Sequence, residues 1–450
     1  MSNPFESESA PTQWFTIWKE MQDTLPHDAM TKVDVDEPEE SGAMMMRKHM
    51  LYPVRTKFTM KRSYADFHWL NDVLNTKYIG MWLPAVPAKY PPASVKAGKE
   101  VYIKNRSVQL ALWFNSILTN PFLTQDSAVI AFLTVLDDKE WKQAKEDAKV
   151  VTLFTETSQG AEAWRGIVRN LDSSPEAPAF IERTRARLAD LLEAAGATRD
   201  NILHVCETSA QLYCDLNEEK DGGDTWRHKE QDMEADAMLP SPVDCGTKGV
   251  GTSIGAISMN VANLLNTATA LNRIHNNLLL PTIMHQISML EGAMAMIQAW
   301  DLSRVNIEKC QKEIEKLMGT KDEMIDTKEG RRSSIFGRVN NMRTSTDKME
   351  KDIAAKEEEV QEMRRMYDLC ERAIFFSEIE RFFVERAQRL ASLSSQTLAA
   401  NKAIVTQASE TSKRVTDQFS VKCGVFEGKM AAMFDDGPLK VQAVFENKEE

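Results

Sequence analysis

Beyond residue 137 the apolar residues of this chain fall three and four positions apart, and the spacing persists for most of the remaining length. One segment runs Phe180, Leu188, Leu191, Ala195, Ile202, Val205, Leu212 and Leu216. A second runs Ile254, Ile257, Val261, Leu264, Leu271, Ile274 and Leu278, then Ile283, Ile287, Leu290, Met294 and Ile297. A third runs Ile353, Val360, Met363, Tyr367, Cys370 and Ile374, then Phe382, Leu390 and Leu393. This alternation lays an apolar stripe along one helix face and suits helices packed at shallow angles. Each stripe far exceeds the ~11–12 residues of an average globular helix, so the pattern demands a bundle of long helices. Pro281 interrupts the second segment, where its ring and missing N–H bend the axis. Residues 218–251, acidic and Gly-rich, read as a mobile loop after the first long helix. Residues 319–343 read as a basic loop between the second and third, and the tail from 421 as short and unpatterned.

The first 137 residues carry a different signal. Thr31–Val35 alternates as a strand does, an acidic turn follows over Asp36–Gly42, and Met44–Met60 places Tyr52, Val54, Thr56 and Phe58 on one face. Pro53 in that run predicts a sheet edge or a bulge. Helical spacing returns over 66–78 with Phe67, Leu70, Val73, Leu74 and Tyr78. Pro84, Pro87, Pro91 and Pro92 mark a fixed, extended loop. Two further helices are expected over 100–118 and 121–136. Together these make an α+β domain over 30–137, a small antiparallel sheet with helices. In the N-terminal extension, 1–29, Trp14, Ile17, Trp18, Met21 and Leu25 share a helical face, which packs on the next domain or wedges into membrane.

Length and charge narrow the function. A chain of 450 residues is too long for one ordinary core. Its net charge of −12 argues against nucleic-acid binding and against a uniformly basic membrane-binding surface. Any contact with anionic lipid therefore rests on local basic patches. No run approaches the ~18 apolar residues of a membrane span, and the N-terminus lacks the charged-then-apolar pattern of a signal peptide. The scattered cysteines, with no Cys-x-x-Cys pair, suit a reducing cytosol. Catalytic motifs are missing: Gly246–Thr252 has glycines and a lysine at the wrong spacing for a phosphate loop. The expectation is a non-enzyme without cofactor or metal, its methionines serving as core packing.

The chemistry sits in two basic clusters. Between Gly42 and Tyr64 stand Arg47, Lys48, Arg55, Lys57, Lys61 and Arg62, with no acidic residue among them. Lys89, Lys96, Lys99, Lys104 and Arg106 follow across the proline loop. Guanidinium and ammonium groups converging on one place bind phosphates by charge-assisted hydrogen bonds, and an aromatic such as Tyr64 can floor a sugar or inositol ring. On charge alone, a solvated basic face without a ligand fits equally well.

The order of elements carries more information. Lys61-Arg62-Ser63-Tyr64-Ala65-Asp66-Phe67-His68-Trp69-Leu70 is a basic-aromatic strand end running into a helix. Leu83-Pro84-Ala85-Val86-Pro87-Ala88-Lys89 is a proline loop ending in lysine. Tyr102-Ile103-Lys104-Asn105-Arg106, then Leu110 and Phe114, is a helix with an arginine, and Asn120-Pro121-Phe122-Leu123-Thr124-Gln125-Asp126 opens a last one. This layout resembles the phox-homology (PX) domain over 30–137. The resemblance implies a phosphoinositide site in which Tyr64 stacks beneath the inositol ring, Lys89 reaches the 1-phosphate and Arg106 holds inositol hydroxyls. Where PX domains that bind phosphatidylinositol 3-phosphate have an arginine before the aromatic, this chain has Ser63. Arg62, one residue earlier, joins the expected site, although on a regular strand it faces the opposite way. A bulge, or Arg55, Lys57 or Lys61, compensates; otherwise the pocket binds lipid weakly, prefers another phosphoinositide, or takes a protein.

The helical part resembles the BAR domain that follows PX in one branch of the sorting nexins. Glu378-Ile379-Glu380-Arg381-Phe382-Phe383-Val384-Glu385-Arg386 is similar to the acidic-aromatic-basic run of that family's last long helix. The resemblance implies an all-α, elongated three-helix BAR domain over 161–420 that pairs into a dimer, as homodimer or as heterodimer with another sorting nexin. Arg331, Arg332, Arg338 and Arg343 are its expected membrane contacts, each worth about 1 kcal/mol near an anionic leaflet, with Ile335 and Phe336 inserting between them. Residues 138–160 form an amphipathic linker helix whose Trp141 face either enters membrane or docks on the bundle. The implied function is peripheral binding to curved endosomal membrane, with remodelling or tubulation during cargo sorting. The alternative is a PX-fold scaffold that recognises a protein peptide and uses its helices only to oligomerise. Asn3-Pro4-Phe5 matches the tripeptide read by EH-domain proteins and makes one of those a possible partner.

Overall fold

The structure, a computed structural model, describes residues 32–41, 49–88, 99–149, 159–236, 244–329 and 336–434. It divides into two compact units. One takes the described residues up to Thr198 together with Pro281–Leu390; the other takes Arg199–Leu280 and the described residues from Ala391.

The first unit begins with the sheet. Strands β1 (Asp34–Val35), β2 (Glu39–Ser41), β3 (His49–Arg55) and β4 (Thr59–Ser63) are all antiparallel, with β3 in the middle. β4 pairs along one side of β3, Tyr52 opposite Arg62 and Val54 opposite Met60. On the other side β1 and β2 lie end to end, Val35 opposite Val54 and Glu39 opposite Leu51. Pro53 therefore stands in the central strand, not at an edge or bulge. Its carbonyl accepts from Asp36 N–H at 2.9 Å, so the side on which proline lacks a donor faces the break between β1 and β2. No ladder bond is lost there. The side chain of Asn115 closes the edge ahead of β1 by pairing with both Val33 N–H (2.9 Å) and Val33 O (2.8 Å).

Helix α1 (Tyr64–Lys77) follows β4 without a loop because Ser63 and Asp66 form a reciprocal capping box. Helix α2 (Lys99–Leu118) matches the expectation. The helix expected over 121–136 is two, α3 (Pro121–Thr124) and α4 (Ser127–Thr134). Asn120 caps the first through Phe122 N–H and Asp126 the second through Ala128 N–H, and each cap restarts the helix. Asp126 is also paired in the interior with Lys77 at 3.2 Å. The core is aromatic: Phe67 meets Phe132 at 5.1 Å and Trp113 at 6.0 Å, while Phe114 stacks on Phe132 at 5.1 Å. Helices α5 (Asp138–Lys149) and α6 (Gln159–Arg169) pack on this same core through Trp141, Ala161, Trp164 and Val168.

The long helices are α7 (Ala177–Asp236), α8 (Asp244–Ile274), α9 (Leu280–Glu329), α10 (Phe336–Ala373) and α11 (Ile379–Phe434). Single wide turns, His275–Leu279 and Ile374–Glu378, link α8 to α9 and α10 to α11, leaving three helical runs. In the first turn Leu280 N–H reaches back five residues to His275 O. The extra residue clears the carbonyl that the ring of Pro281 would otherwise strike, so the helix passes through the proline. Helix replaces loop over 218–236, over 244–251 and up to Glu329, and α11 runs to Phe434 through the expected tail.

Within the first unit the PX-like fold and the helices exchange side chains between two cores. Trp82 belongs to the helical core with Leu290, Ile297, Ile374 and Phe382, whereas Leu369 and Ala373 of α10 belong to the aromatic core. Gly292 of α9 is a contact point: a Cβ there would collide with Leu83 O. Arg372 seals the end of α6 by donating to Arg169 O and Leu171 O, where helix carbonyls lack partners. In the second unit, Leu216, Val261 and Ala268 make a small core, with Ser258 donating to Asp224 at 2.7 Å and Asn263 to Ala408 O at 3.2 Å.

Candidate functional site

Tyr64 opens α1 at the end of β4, so strand pairing and the helix start fix its place. Its hydroxyl donates to Pro87 O at 2.6 Å. The Arg106 guanidinium, from α2, lies over the ring at 5.6 Å from its centroid, and His68 meets the ring edge-on at 4.7 Å. Burial pushes the phenol up to about 12, with Arg106 opposing. At neutral pH Tyr64 is thus an uncharged donor under a cation, with a π-face that can accept a ring. The structure brings Tyr64 and Arg106 together as the sequence predicts. Lys89, Arg331 and Arg332 lie outside the described residues, as do the side chains of Arg338 and Arg343 on α10.

Two expected site residues are elsewhere. Arg62 points into the fold beside Met60, as strand alternation requires. It donates to Phe132 O at 2.9 Å and Val135 O at 2.6 Å, so it caps the carbonyl end of α4 and is removed from any ligand. Burial drops its pKa to about 10, with Asp66 and Asp138 working against that fall. Trp141 is no membrane contact. It is 5% exposed, stacks under the Arg62 guanidinium at 4.1 Å, meets Trp69 edge-on at 5.0 Å and donates to Asp66 Oδ1 at 3.2 Å. An amphipathic face satisfies a protein core as well as a bilayer, and here the core takes it.

Asp66, which sequence reasoning passed over, organises this corner. Ser63 N–H and Oγ donate to its Oδ2 at 2.7 and 2.8 Å, and Lys145 donates to its Oδ1 at 2.7 Å. Burial alone would raise its pKa, but the hydrogen bonds from Lys145 and Ser63 outweigh it and hold the carboxylate below its ordinary value. Ser63 is committed to this cap. The capping-box spacing, Ser63 to Asp66, was the signal available for it.

A second cluster, also missed, joins the proline loop to the helices. Trp82 N–H donates to Glu378 Oε2 at 2.9 Å and its indole N–H to Met289 O at 3.1 Å. Arg381 donates to Trp82 O, lies over the indole at 4.8 Å, and pairs with Glu378 at 2.6 Å and Glu385 at 3.0 Å. Burial would lower the pKa of Arg381, but the two carboxylates outweigh it and keep the guanidinium charged. Arg389 and His285 meet on the hydroxyl of Ser116, at 2.7 and 3.1 Å. Burial, helped by Arg389, drops His285 to about 3 and keeps it neutral.

Residues 51–136 match the PX domain family. Over 157 residues the chain is 30% identical to "Sorting nexin MVP1" of Yarrowia lipolytica, covering 30% of this chain and 26% of that protein. Over 234 residues it is 25% identical to "Sorting nexin MVP1" of Saccharomyces cerevisiae, covering 46% and 45%. The chain thus spans less than half the length of either relative. A solved structure, "The cryo-EM structure of the SNX-BAR Mvp1 tetramer", aligns with 84% of this chain and 99% of its own at 16% identity and a TM-score of 0.48, too loose a likeness to carry an argument. The domain that β4 and the capped helices build within residues 51–136 is thus a PX domain. Long helices follow that domain in the chain, and the relatives it matches in sequence are named sorting nexins. Among the described residues no helix is long and apolar enough to cross a membrane.

Proposed function

We propose that this chain attaches peripherally to endosomal membrane by binding a phosphoinositide headgroup at Tyr64 and Arg106, and that its helices pair with a second copy or a related chain to sense or impose curvature during cargo sorting. The observation that carries the reading is the guanidinium of Arg106 over the ring of Tyr64: a donor fork above an aromatic floor suits a phosphorylated polyol. Lys89, Arg331, Arg332, Arg338 and Arg343 supply further contacts to anionic lipid, at about 1 kcal/mol each. Pairing is supported by apolar side chains left outward on the second unit, among them Leu398 at 70% and Val405 at 66% exposure on α11. The fold carries no chemistry in this reading, which is that of a non-enzyme.

Flotation of the full chain with phosphoinositide vesicles tests it. Arg106→Ala should weaken binding about tenfold or more, the loss of a charged hydrogen bond. Binding without phosphoinositide dependence and untouched by Arg106→Ala contradicts it. That outcome favours a peptide-recognising scaffold, for which the commitment of Ser63 to Asp66 speaks.

A further inference from the structure

The loop Gly80–Pro87 touches the headgroup site at one end and the helices along the rest of its length. Its Pro87 carbonyl accepts from Tyr64. Ala85 N–H donates to Ser288 O at 2.8 Å, and Ala85 O accepts from the Ser288 hydroxyl. Leu83 lies directly on Gly292. Trp82 is held through its N–H by Glu378 and through its carbonyl by Arg381. Gly80 takes a φ of +82°, and a Cβ there would come within 2.8 Å of Cys370 Cα, so only glycine lets the loop enter this close to α10.

This strap is stiff. Pro84 and Pro87 fix two of its φ angles, and Trp113 pins its middle by donating to Pro84 O at 2.8 Å. Three residues separate Leu83 from Pro87, too few in extended backbone to absorb a displacement at one end. The carbonyl that sets the Tyr64 hydroxyl is therefore placed from both sides, by Trp113 of the PX fold and by α9, α10 and α11 outside it.

We infer that Ser288, Gly292, Glu378 and Arg381 are positioning residues for the headgroup site, so that the long helices set its affinity and its occupancy in turn steadies the helices. This rests on the phosphoinositide reading above. Linkage makes the effect reciprocal: whatever the helices do to headgroup affinity, the bound headgroup does to the strap's seat on α9.

The experiment uses the full chain and phosphatidylcholine vesicles carrying either phosphatidylinositol 3-phosphate or phosphatidylinositol 4-phosphate. Gly292→Ala improves local helix propensity while driving a methyl into the strap. Gly319→Ala, on the same helix with nothing within 4 Å of its added methyl, is the matched control. Gly292→Ala should bind the preferred vesicle at least about fivefold more weakly with its far-ultraviolet circular dichroism retained, and Gly319→Ala should bind as wild type. Ser288→Ala, which removes one hydroxyl, should give a smaller loss and decides the matter should Gly292→Ala unfold. In wild type, vesicles should slow amide exchange over 284–296 of α9, and Arg106→Ala should abolish that slowing. Gly292→Ala binding like Gly319→Ala, or Arg106-dependent binding that leaves exchange on α9 unchanged, overturns the coupling while sparing the headgroup site. A wild type that ignores both vesicles overturns the headgroup reading itself and the coupling with it.

Discussion

Replacing Trp82 with alanine tests whether the PX fold and the helices of the first unit are one cooperative body. The indole is 1% exposed and packs in the helical core against Phe382 at 5.3 Å. A buried Trp→Ala change costs about 3–5 kcal/mol, and this one also leaves Met289 O without its donor and Arg381 without its aromatic face. Phe114→Ala, inside the aromatic core, carries a similar cost and removes none of the groups that hold Trp82. Native-state hydrogen exchange in rising urea separates the two. In wild type, β3–β4 and the amides of 289–297 and 378–385 should share one opening free energy. Phe114→Ala should lower both together. Trp82→Ala should lower both and split them, the sheet opening before the helices. Equal lowering without a split in Trp82→Ala refutes the idea that this side chain joins the two cores.

His285 gives a pH prediction. Its folded pKa of about 3 lies below the ordinary 6.5, so below 6.5 the unfolded chain takes up a proton that the native one refuses. Stability is then full above 6.5 and falls with pH, by about 2 kcal/mol between pH 7 and 5; urea midpoints should show it, and His285→Leu should flatten the slope. Arg381→Met strands Glu378 and Glu385 in the interior, at about 3–5 kcal/mol; a melt that moves by less than a fifth of that removes the buried-pair argument. Asp66→Asn should speed amide exchange across 138–149 by freeing Lys145 and Trp141, and unchanged exchange there would mean α5 is held by other contacts. Trp141→Ala should destabilise the fold yet leave vesicle affinity alone, because the indole faces protein; a selective loss of membrane binding would reinstate it as a contact.

Much of the architecture was readable because period is a strong signal. Alternating apolar residues marked the strands that end at Ser63, and three-and-four spacing beyond residue 137 marked the long helices. Motif order places Tyr64 and Arg106 in one site, and the guanidinium lies over the ring. Strand alternation already turned Arg62 away from Tyr64, and its inclusion in the site ran against that geometry. Trp141 shows a different limit: one apolar face on a short helix fits a bilayer or a neighbour, and composition does not choose. The helix over 218–236 was hidden because glycine and acid content signal a loop locally, while packing decides; Asp224, seated on Ser258, is part of that packing. The joint was least visible. Trp82, Gly292 and Arg381 are far apart in sequence, and only close approach reveals why a glycine stands opposite Leu83.

The most direct measurement is calorimetric titration of the full chain with a soluble, short-chain phosphoinositide, which removes curvature and avidity from the result. Saturable heat that vanishes in Arg106→Ala, with the melting curve of that variant unchanged, is the outcome expected of a ring-and-guanidinium headgroup site. Identical heats from wild type and Arg106→Ala, or none from either, would contradict it.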